Sequence, residues 1–448
     1  MTDAKILLAR LDRIPVWTYP YSILLITGIG FLFSFFDIVT IGFAIPVVTK
    51  QFNVSTTTAV WTITTGLIGY IIGSILDSRI SDLFGRRLAL LLSVSFFSVG
   101  SLLCALSPNI FILMLARFIT GMGIGAEIPN AMTYIGELSP PRLRGYYSCI
   151  AGMMAFIGFA LVPFVAMVLV PNFEWGWRWL FLIGGLGGTI IFFMRRGMPH
   201  SIHWLIAEGR LPEAEQFLIQ AEQRAVQKTG QALKDYVLAT ETITTDKKLI
   251  TLLKSPYVYR VILFALLWFF YYVGNYGWLT LSTELFDLKG LHLSNSIFVV
   301  AISSLGFILG GILAVFLSDK VERKWATISV AFLWSLDLLI IGWLPLNSIW
   351  LMLCGFIAST TVAFLVTLMY TYTAEHFPTS GRASGVSLTD GFGHLGGAFC
   401  GQIILGAFAL FKTSGFGFQA AFTAMALSGF ITMFLLFFGK KLNGKVLT

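Results

Sequence analysis

The chain has 448 residues, of which 56% are hydrophobic, 15% aromatic and only 12% charged, and its mean hydropathy is +0.83. That is too little polar surface to coat a water-soluble globule, so the chain reads as an all-α integral membrane protein. The net charge of +8 is no nucleic-acid footprint, because the basic residues are distributed among the loops between apolar runs and read as a topology signal.

Twelve apolar stretches of about 20 residues, the length that crosses a ~30 Å hydrocarbon layer, follow one another along the chain. They lie near 21–48, 57–76, 88–107, 110–134, 145–170, 178–194, 259–282, 294–317, 325–344, 348–373, 382–411 and 416–438. The first is too long for a cleavable signal and is expected to be retained. An even number of spans puts both termini on one side, and 25 of the 30 Lys and Arg fall on that side, in the tails and the even-numbered loops. Only Lys50, Arg178, Lys289 and Lys412 fall on the other. This asymmetry predicts a cell-membrane protein with cytoplasmic N- and C-termini. Cys104, Cys149, Cys354 and Cys400 stand singly, with no spacing for a metal or a disulfide framework.

A hydrophilic segment, 195–258, divides an N-terminal bundle (1–194) from a C-terminal bundle with its tail (259–448). Within it, Pro212 to Gln227 has an amphipathic pattern, expected as a helix near the inner leaflet or as a solvated linker helix. The two bundles repeat each other. Asp82-Leu83-Phe84-Gly85-Arg86-Arg87 returns in the second bundle as Asp319-Lys320-Val321-Glu322-Arg323-Lys324. Glu137, Pro140 and Arg144 return there, at nearly the same offset, as Glu375, Pro378 and Arg382. Two like halves with a site between them are a common build for secondary transporters. In the first copy Gly85 permits a tight turn, Arg86 and Arg87 stay in water, and Asp82 can face a helix N-terminus or pair with a cation.

The Asp82–Arg87 run, with Ser78 and Leu83 departing from the usual Gly and Arg, resembles the loop signature between spans two and three of the major facilitator superfamily. Arg117-x-x-x-Gly121-x-Gly123-x-Gly125, continuing through Glu127 and Pro129 to Glu137, Pro140 and Arg144, resembles that superfamily's second signature. Its glycines allow close helix approach. Pro199 to Leu205 resembles the signature after span six, with His200 and His203 in place of its Glu and Arg. Asn275-Tyr276-Gly277 in span seven is more similar to organic-ion and nicotinate-type members than to sugar porters. The resemblance is thus to the branch of organic-ion, synaptic-vesicle-protein-like, nicotinate or aromatic-acid and sugar porters. It implies two pseudo-symmetric six-helix bundles, a monomer without cofactors, and alternating access. In that family the duplicated loops latch the halves on the cytoplasmic side, a role carried over to Asp82, Gly85, Arg86, Arg87, Glu137, Arg144, Asp319, Arg323, Glu375 and Arg382.

Charges within the spans are functional candidates, because an unpaired ionised side chain in hydrocarbon costs roughly several kcal/mol. The candidates are Asp37 in span one, Arg117 and Glu127 in span four, Asp337 in span nine, and Asp390 with His394 in span eleven. In proton-coupled relatives an Asp at the position of Asp37 pairs with an Arg at that of Arg117, and protonation frees the Arg. A carboxylate beside Arg favours its charged form and one left among apolar groups favours its neutral form, so separating the pair converts motion into proton transfer. Asp37 is expected as proton carrier with Arg117 as counter-ion, or the two form a permanent structural pair. Glu127 is either a second protonatable site or a partner of the loop cluster; Asp337 is expected to be structural or interfacial. Asp390 and His394 share one helical face at i and i+4. His394 either contacts the substrate or is satisfied by Asp390. Tyr272, Asn275 and Tyr276 are expected to line the substrate cavity, where rings suit a planar or apolar-bodied solute.

The function expected is proton-coupled symport of a small organic acid or other organic ion, with sugar–proton symport, uniport or efflux as the alternatives. The partners are then a small-molecule substrate, protons and the lipid bilayer. The excess of acid over base among the membrane charges also admits a neutral or cationic solute. An enzyme is not expected, since no nucleotide-binding loop, catalytic carboxylate pair or metal-spaced His and Cys occurs in the sequence.

Overall fold

The computed structural model describes residues 4–236, 257–318, 320–343, 345, 347–377 and 382–441, and for Ser78, Asp82, Arg382 and Ala383 the backbone alone. Asp319 and Pro378, which belong to the second copy of the repeat, lie outside the described residues, as do the side chains of Asp82 and Arg382.

Each apolar stretch becomes a helix because hydrocarbon offers no partner for backbone N–H and C=O, and the helix satisfies them within itself. In chain order the elements are α1 (Ala4–Asp12), α2 (Tyr21–Gln51), α3 (Thr56–Ala59), α4 (Trp61–Phe84), α5 (Arg86–Leu106), α6 (Ile110–Leu138), α7 (Arg144–Leu169) and α8 (Gly176–Arg195). Then come α9 (Ile202–Ala207), α10 (Leu211–Thr229), α11 (Tyr257–Lys289), α12 (Leu293–Leu317), α13 (Arg323–Trp343), α14 (Ser348–Glu375), α15 (Arg382–Ala398), α16 (Cys400–Phe411) and α17 (Gly417–Leu436). Twelve spans are long and apolar enough to cross a membrane, and no strand occurs among the described residues. Several starts follow from side-chain caps: Ser55 accepts from Thr58 N, Asn109 from Ile112 N, and Asn347 from Ile349 N.

The halves repeat one packing scheme. In the first, α2 lies on α7, α4 on α6 and α5 on α8; in the second, α11 lies on α15, α12 on α14 and α13 on α17. Between halves, α2 meets α11, α4 meets α15 and α7 meets α12. The α4–α6 contact is especially close: a Cβ on Gly121 would fall within the van der Waals radius of the Gly66 carbonyl oxygen, so the second sequence signature is a backbone-contact stripe.

One end of the molecule carries the N-terminal helix and the linker helices, and is called here the terminal end. There α1 docks on α10 through Arg10 to Glu222 (2.8 Å) and Arg13 to Glu222 (2.8 Å), over a core of Leu7, Ile14, Leu205, Ala214 and Leu218. The apolar face of the predicted amphipathic helix is therefore filled by protein. The domain boundary also shifts at its edge: Arg195, expected in the hydrophilic linker, is the last residue of α8 and is buried.

Candidate functional site

Asp37 lies midway along α2 with no exposure to solvent. Arg117 of α6 donates through Nη1 to its Oδ1, and Ser101 of α5 donates to its Oδ2 at 2.5 Å. Gly184 of α8 makes room for this arrangement, since a Cβ there would lie 3.2 Å from Ser101 Oγ and 3.4 Å from Asp37 Oδ2. The Arg117 guanidinium also faces the Phe181 ring, with Cζ 5.6 Å from its centroid. Its Nε is buried without a hydrogen-bond partner among the described residues, so the pair leaves donor capacity on the arginine. Arg117 then borders a small cavity between the halves, lined from the first half by Ile38, Leu67 and Tyr70 and from the second by Tyr276 and Thr280.

The second half meets this cavity with aromatic rings. Asp390 of α15 accepts from the hydroxyls of Tyr272 (2.6 Å) and Tyr370 (2.8 Å). His394, one turn on, donates through Nδ1 to the Asp390 carbonyl (2.9 Å), with the Asp390 carboxylate 3.6 Å away. Its ring stacks on Tyr70 of the other half, centroids 4.1 Å apart and 16° from parallel, and faces Tyr272 at 4.2 Å. Tyr276 stands 5.5 Å from Tyr272 and 5.9 Å from His394. Asn275 is buried in the same stretch of α11. Thus Tyr272, Tyr276, Asp390 and His394 form one cluster, and it touches the cavity that Arg117 borders.

Glu127 joins neither group. Its carboxylate takes both terminal nitrogens of Arg195, at 2.5 and 2.7 Å, and the Ser93 hydroxyl at 2.8 Å. This corrects the inventory of membrane charges in two ways: Glu127 faces the end of α8 instead of the loop cluster, and a second arginine lies buried in the first half. The signal available in the sequence was that Arg195 follows directly on the shortest of the twelve apolar runs, one that needs it to complete the span. Glu284 was missed for a like reason. Nothing breaks α11 before Gly290, whose φ is +110°, so the helix runs past the expected end and buries Glu284. Tyr70 and Ser101 carry no motif; only the packing brings them in. Asp337 lies on α13, which packs on α14 and α17 away from the contact between halves.

At the terminal end the two copies of the repeat make the same bond. Arg86 Nε donates to Glu137 Oε1 at 3.1 Å, and in the second copy Arg323 pairs with Glu375. Glu137 also accepts from Ser201, Arg87 donates to the Arg196 carbonyl, and Gly85, at φ +87°, turns beneath the Trp204 ring. Arg144 lies apart, 3.7 Å from Asp12. The described partners lie in the motif's own half or in the linker segment that follows it, so these bonds brace each half; the latch implied by the resemblance also involves Asp82, Asp319 and Arg382, whose side chains lie outside the described residues.

At the far end the halves are joined directly. Thr56 donates to Glu284 (3.0 Å), Lys50 faces Asp287 (3.8 Å), Thr64 donates to the Ala398 carbonyl (2.7 Å) and Gln402 donates to Thr64 (2.8 Å). Deeper in, Ser304 is within 3.1 Å of the Ala160 carbonyl. Among the described residues, the hydrogen bonds between halves run from mid-depth to the far end.

The sequence profile of the Major Facilitator Superfamily matches residues 27–401 and 290–446. The niacin transporter NiaP of Acinetobacter baylyi is 27% identical over 393 residues, covering 87% of this chain and 88% of that protein. The 4-hydroxybenzoate transporter PcaK of Pseudomonas aeruginosa is 26% identical over 431 residues, covering 94% and 92%. Among solved structures, a D-xylose–proton symporter superposes with a TM-score of 0.76 at 19% identity, covering 95% of this chain and 99% of that one. The fold and these relatives are those of transporters and not of enzymes, and the chain belongs to the Major Facilitator Superfamily as a multi-pass membrane protein.

Proposed function

We propose that the chain is a secondary active transporter that moves a small organic acid, or another organic ion with a planar body, together with a proton by alternating access. The observation that carries this is the buried Asp37–Arg117 pair, whose arginine borders the same cavity as Tyr70 and Tyr276. While Asp37 is ionised it holds Arg117. Once it takes a proton it can no longer neutralise the guanidinium, and Arg117 turns its donors to an anion in the cavity. Binding of a carboxylate and binding of a proton thereby favour each other. Stacked rings at Tyr70, His394 and Tyr272 suit the flat face of such a solute. The relatives named for niacin and 4-hydroxybenzoate support an aromatic carboxylate, and the likeness to a D-xylose–proton symporter supports proton coupling.

The basic residues at the terminal end support cytoplasmic termini in the cell membrane. On that orientation the joined far end is extracellular.

The test uses purified protein in proteoliposomes, with nicotinate, 4-hydroxybenzoate and D-xylose as probes and an external pH indicator. Addition of a transported aromatic acid is expected to alkalinise the outside, and Asp37→Asn is expected to abolish that signal. Uptake by Asp37→Asn with an unchanged pH dependence would make the ion pair purely structural and overturn the reading.

A further inference from the structure

The seam at the far end holds an acidic group that the coupling pair does not need. Glu284 sits on α11 eight residues beyond Tyr276, about 12 Å further along the helix, and is only 3% exposed. Its Oε1 accepts one hydrogen bond, from the Thr56 hydroxyl of the opposite half at 3.0 Å. Its Oε2 is buried with no hydrogen-bond partner among the described residues. The charged groups within reach are Asp287, one turn on, and Lys50 of α2, and these two face each other at 3.8 Å. Lys50 is 72% exposed, so water screens it and it gives the buried carboxylate little. Lys289 lies over the Phe418 ring and His292 is exposed at the start of α12, so neither supplies a counter-charge.

A carboxylate with a single donor in a sealed seam is costly when charged, because one hydroxyl cannot replace a hydration shell. Among the described residues, the same seam is the only place where α3 of one half caps α11 of the other by a hydrogen bond. When the halves part at the far end, Thr56 leaves and water reaches both carboxylate oxygens, which makes the ionised form cheap again.

We propose that Glu284 is a proton-dependent seal of the far-end gate: it takes a proton from the far-side water as the gate closes and returns it to that side when the gate opens. One proton is bound per closure and one released per opening, on the same face of the membrane, so no charge crosses on its account. Acid on the far side therefore favours closure of the gate behind a bound solute and slows its reopening, while the accumulation ratio set by the coupling step stays the same. This rests on alternating access and is independent of Asp37 as the proton carrier.

The experiment reads the gate without a substrate. Spin labels at Thr57 and Ser294, exposed at the far end on opposite halves, are placed on a background lacking the four cysteines, and the full chain in nanodiscs is measured by pulsed dipolar spectroscopy from pH 5 to pH 8.5. The expected result is a short distance at pH 5 and a longer one that grows with pH, its ratio to the short one changing by up to about tenfold per pH unit, the limit for one proton. Glu284→Gln, an isosteric neutral group, is expected to hold the short distance at every pH. Glu284→Asp keeps a titratable group and is expected to retain a pH response with a moved midpoint, which still reads the proposal if the glutamine variant folds poorly. Asp37→Asn is expected to keep a pH response, and Glu284→Gln added to it is expected to remove what remains. A parent chain without any pH response, or an unchanged response in both Glu284 variants, overturns the seal. A response lost in Asp37→Asn and kept in Glu284→Gln also overturns it, by assigning the titration to the coupling pair.

Discussion

The two halves share a scaffold and differ in what they bury. The first half encloses two ion pairs, Asp37–Arg117 and Glu127–Arg195, each with a serine hydroxyl on the carboxylate. At the place of Asp37 the second half has Gly274, packed on Trp334 and Ser428, and at the place of Arg117 it has Cys354. Its acid at the site, the partly buried Asp390, is held by two tyrosine hydroxyls and a histidine. Paired charges resist separation and reward it only when one is neutralised, whereas neutral hydroxyls exchange partners at little cost. The difference assigns switching to the first half and accommodation of a ligand to the second.

The largest break in that comparison comes from removing one charge of a buried pair. Arg195→Met leaves Glu127 without its counter-ion and is expected to destabilise the protein by about 3–5 kcal/mol. Glu127→Gln combined with Arg195→Met is expected to recover most of that loss, because the uncompensated charge is gone. Thermal unfolding of the purified variants in detergent reads both. The matching change in the second half, Asp390→Asn, leaves the tyrosines a carbonyl acceptor and is expected to shift the unfolding temperature far less.

Gly121→Val tests whether the first half also depends on backbone contact. A Cβ at Gly121 would overlap the Gly66 carbonyl oxygen, so α4 and α6 must part along their whole length. Overpacking of this kind is expected to cost about 3 kcal/mol, read as lost monodispersity on size-exclusion chromatography and a lower unfolding temperature.

How far these features were legible in the sequence follows from their physics. The twelve spans are a property of local composition, and the repeat marked Arg86 with Glu137 and Arg323 with Glu375 as equivalent positions without saying that each pair would bond. The Asp37–Arg117 contact was legible through resemblance alone, since its partners lie far apart in the chain on helices whose mutual packing no local pattern sets. Arg195 was hidden by its place at the end of a short apolar run, where hydropathy cannot tell a buried terminal residue from a solvated one. Tyr70 was hidden for another reason: ring stacking between halves depends on the packing angle of α4 against α15, which emerges only from the assembled bundle.

In the second half, Tyr272→Phe removes the shorter of the two hydroxyl bonds to Asp390 and leaves that of Tyr370 at 2.8 Å. A hydrogen bond to a charged group contributes roughly 1.5–3 kcal/mol, and the remaining donor offsets part of it. Affinity for a bound aromatic acid, measured by calorimetry, is expected to fall about tenfold, which corresponds to ~1.4 kcal/mol. Unchanged affinity would remove the tyrosine cradle from the binding role and weaken the division between the halves.

The smallest effect expected is a local one at the terminal end of the second half. His376, just past α14, accepts the Lys440 amide at Nε2 (3.0 Å), and its Nδ1 donates to the Tyr372 carbonyl (2.8 Å). A neutral ring is required, because the acceptor nitrogen must be bare. Burial pushes the His376 imidazole down to about 4, with the Tyr372 carbonyl working against that shift and Arg260, Lys440 and Lys324 adding to it. The folded value lies below the unfolded one, near 6.5. Above about 6.5 neither state binds the proton and stability does not change with pH; between about 6.5 and about 4 the unfolded segment binds it and the docked one does not. Docking of the chain around Lys440 is therefore expected to weaken as pH falls through that window, by about 1 kcal/mol at pH 5.5. The corresponding position in the first half is Leu138, which does not titrate. Hydrogen exchange should accordingly quicken at the Lys440 amide between pH 7 and pH 5.5, after correction for the intrinsic rate, and hold steady around Leu138. His376→Gln, which keeps an amide N–H and a carbonyl but has no proton to gain, is expected to flatten the response at Lys440.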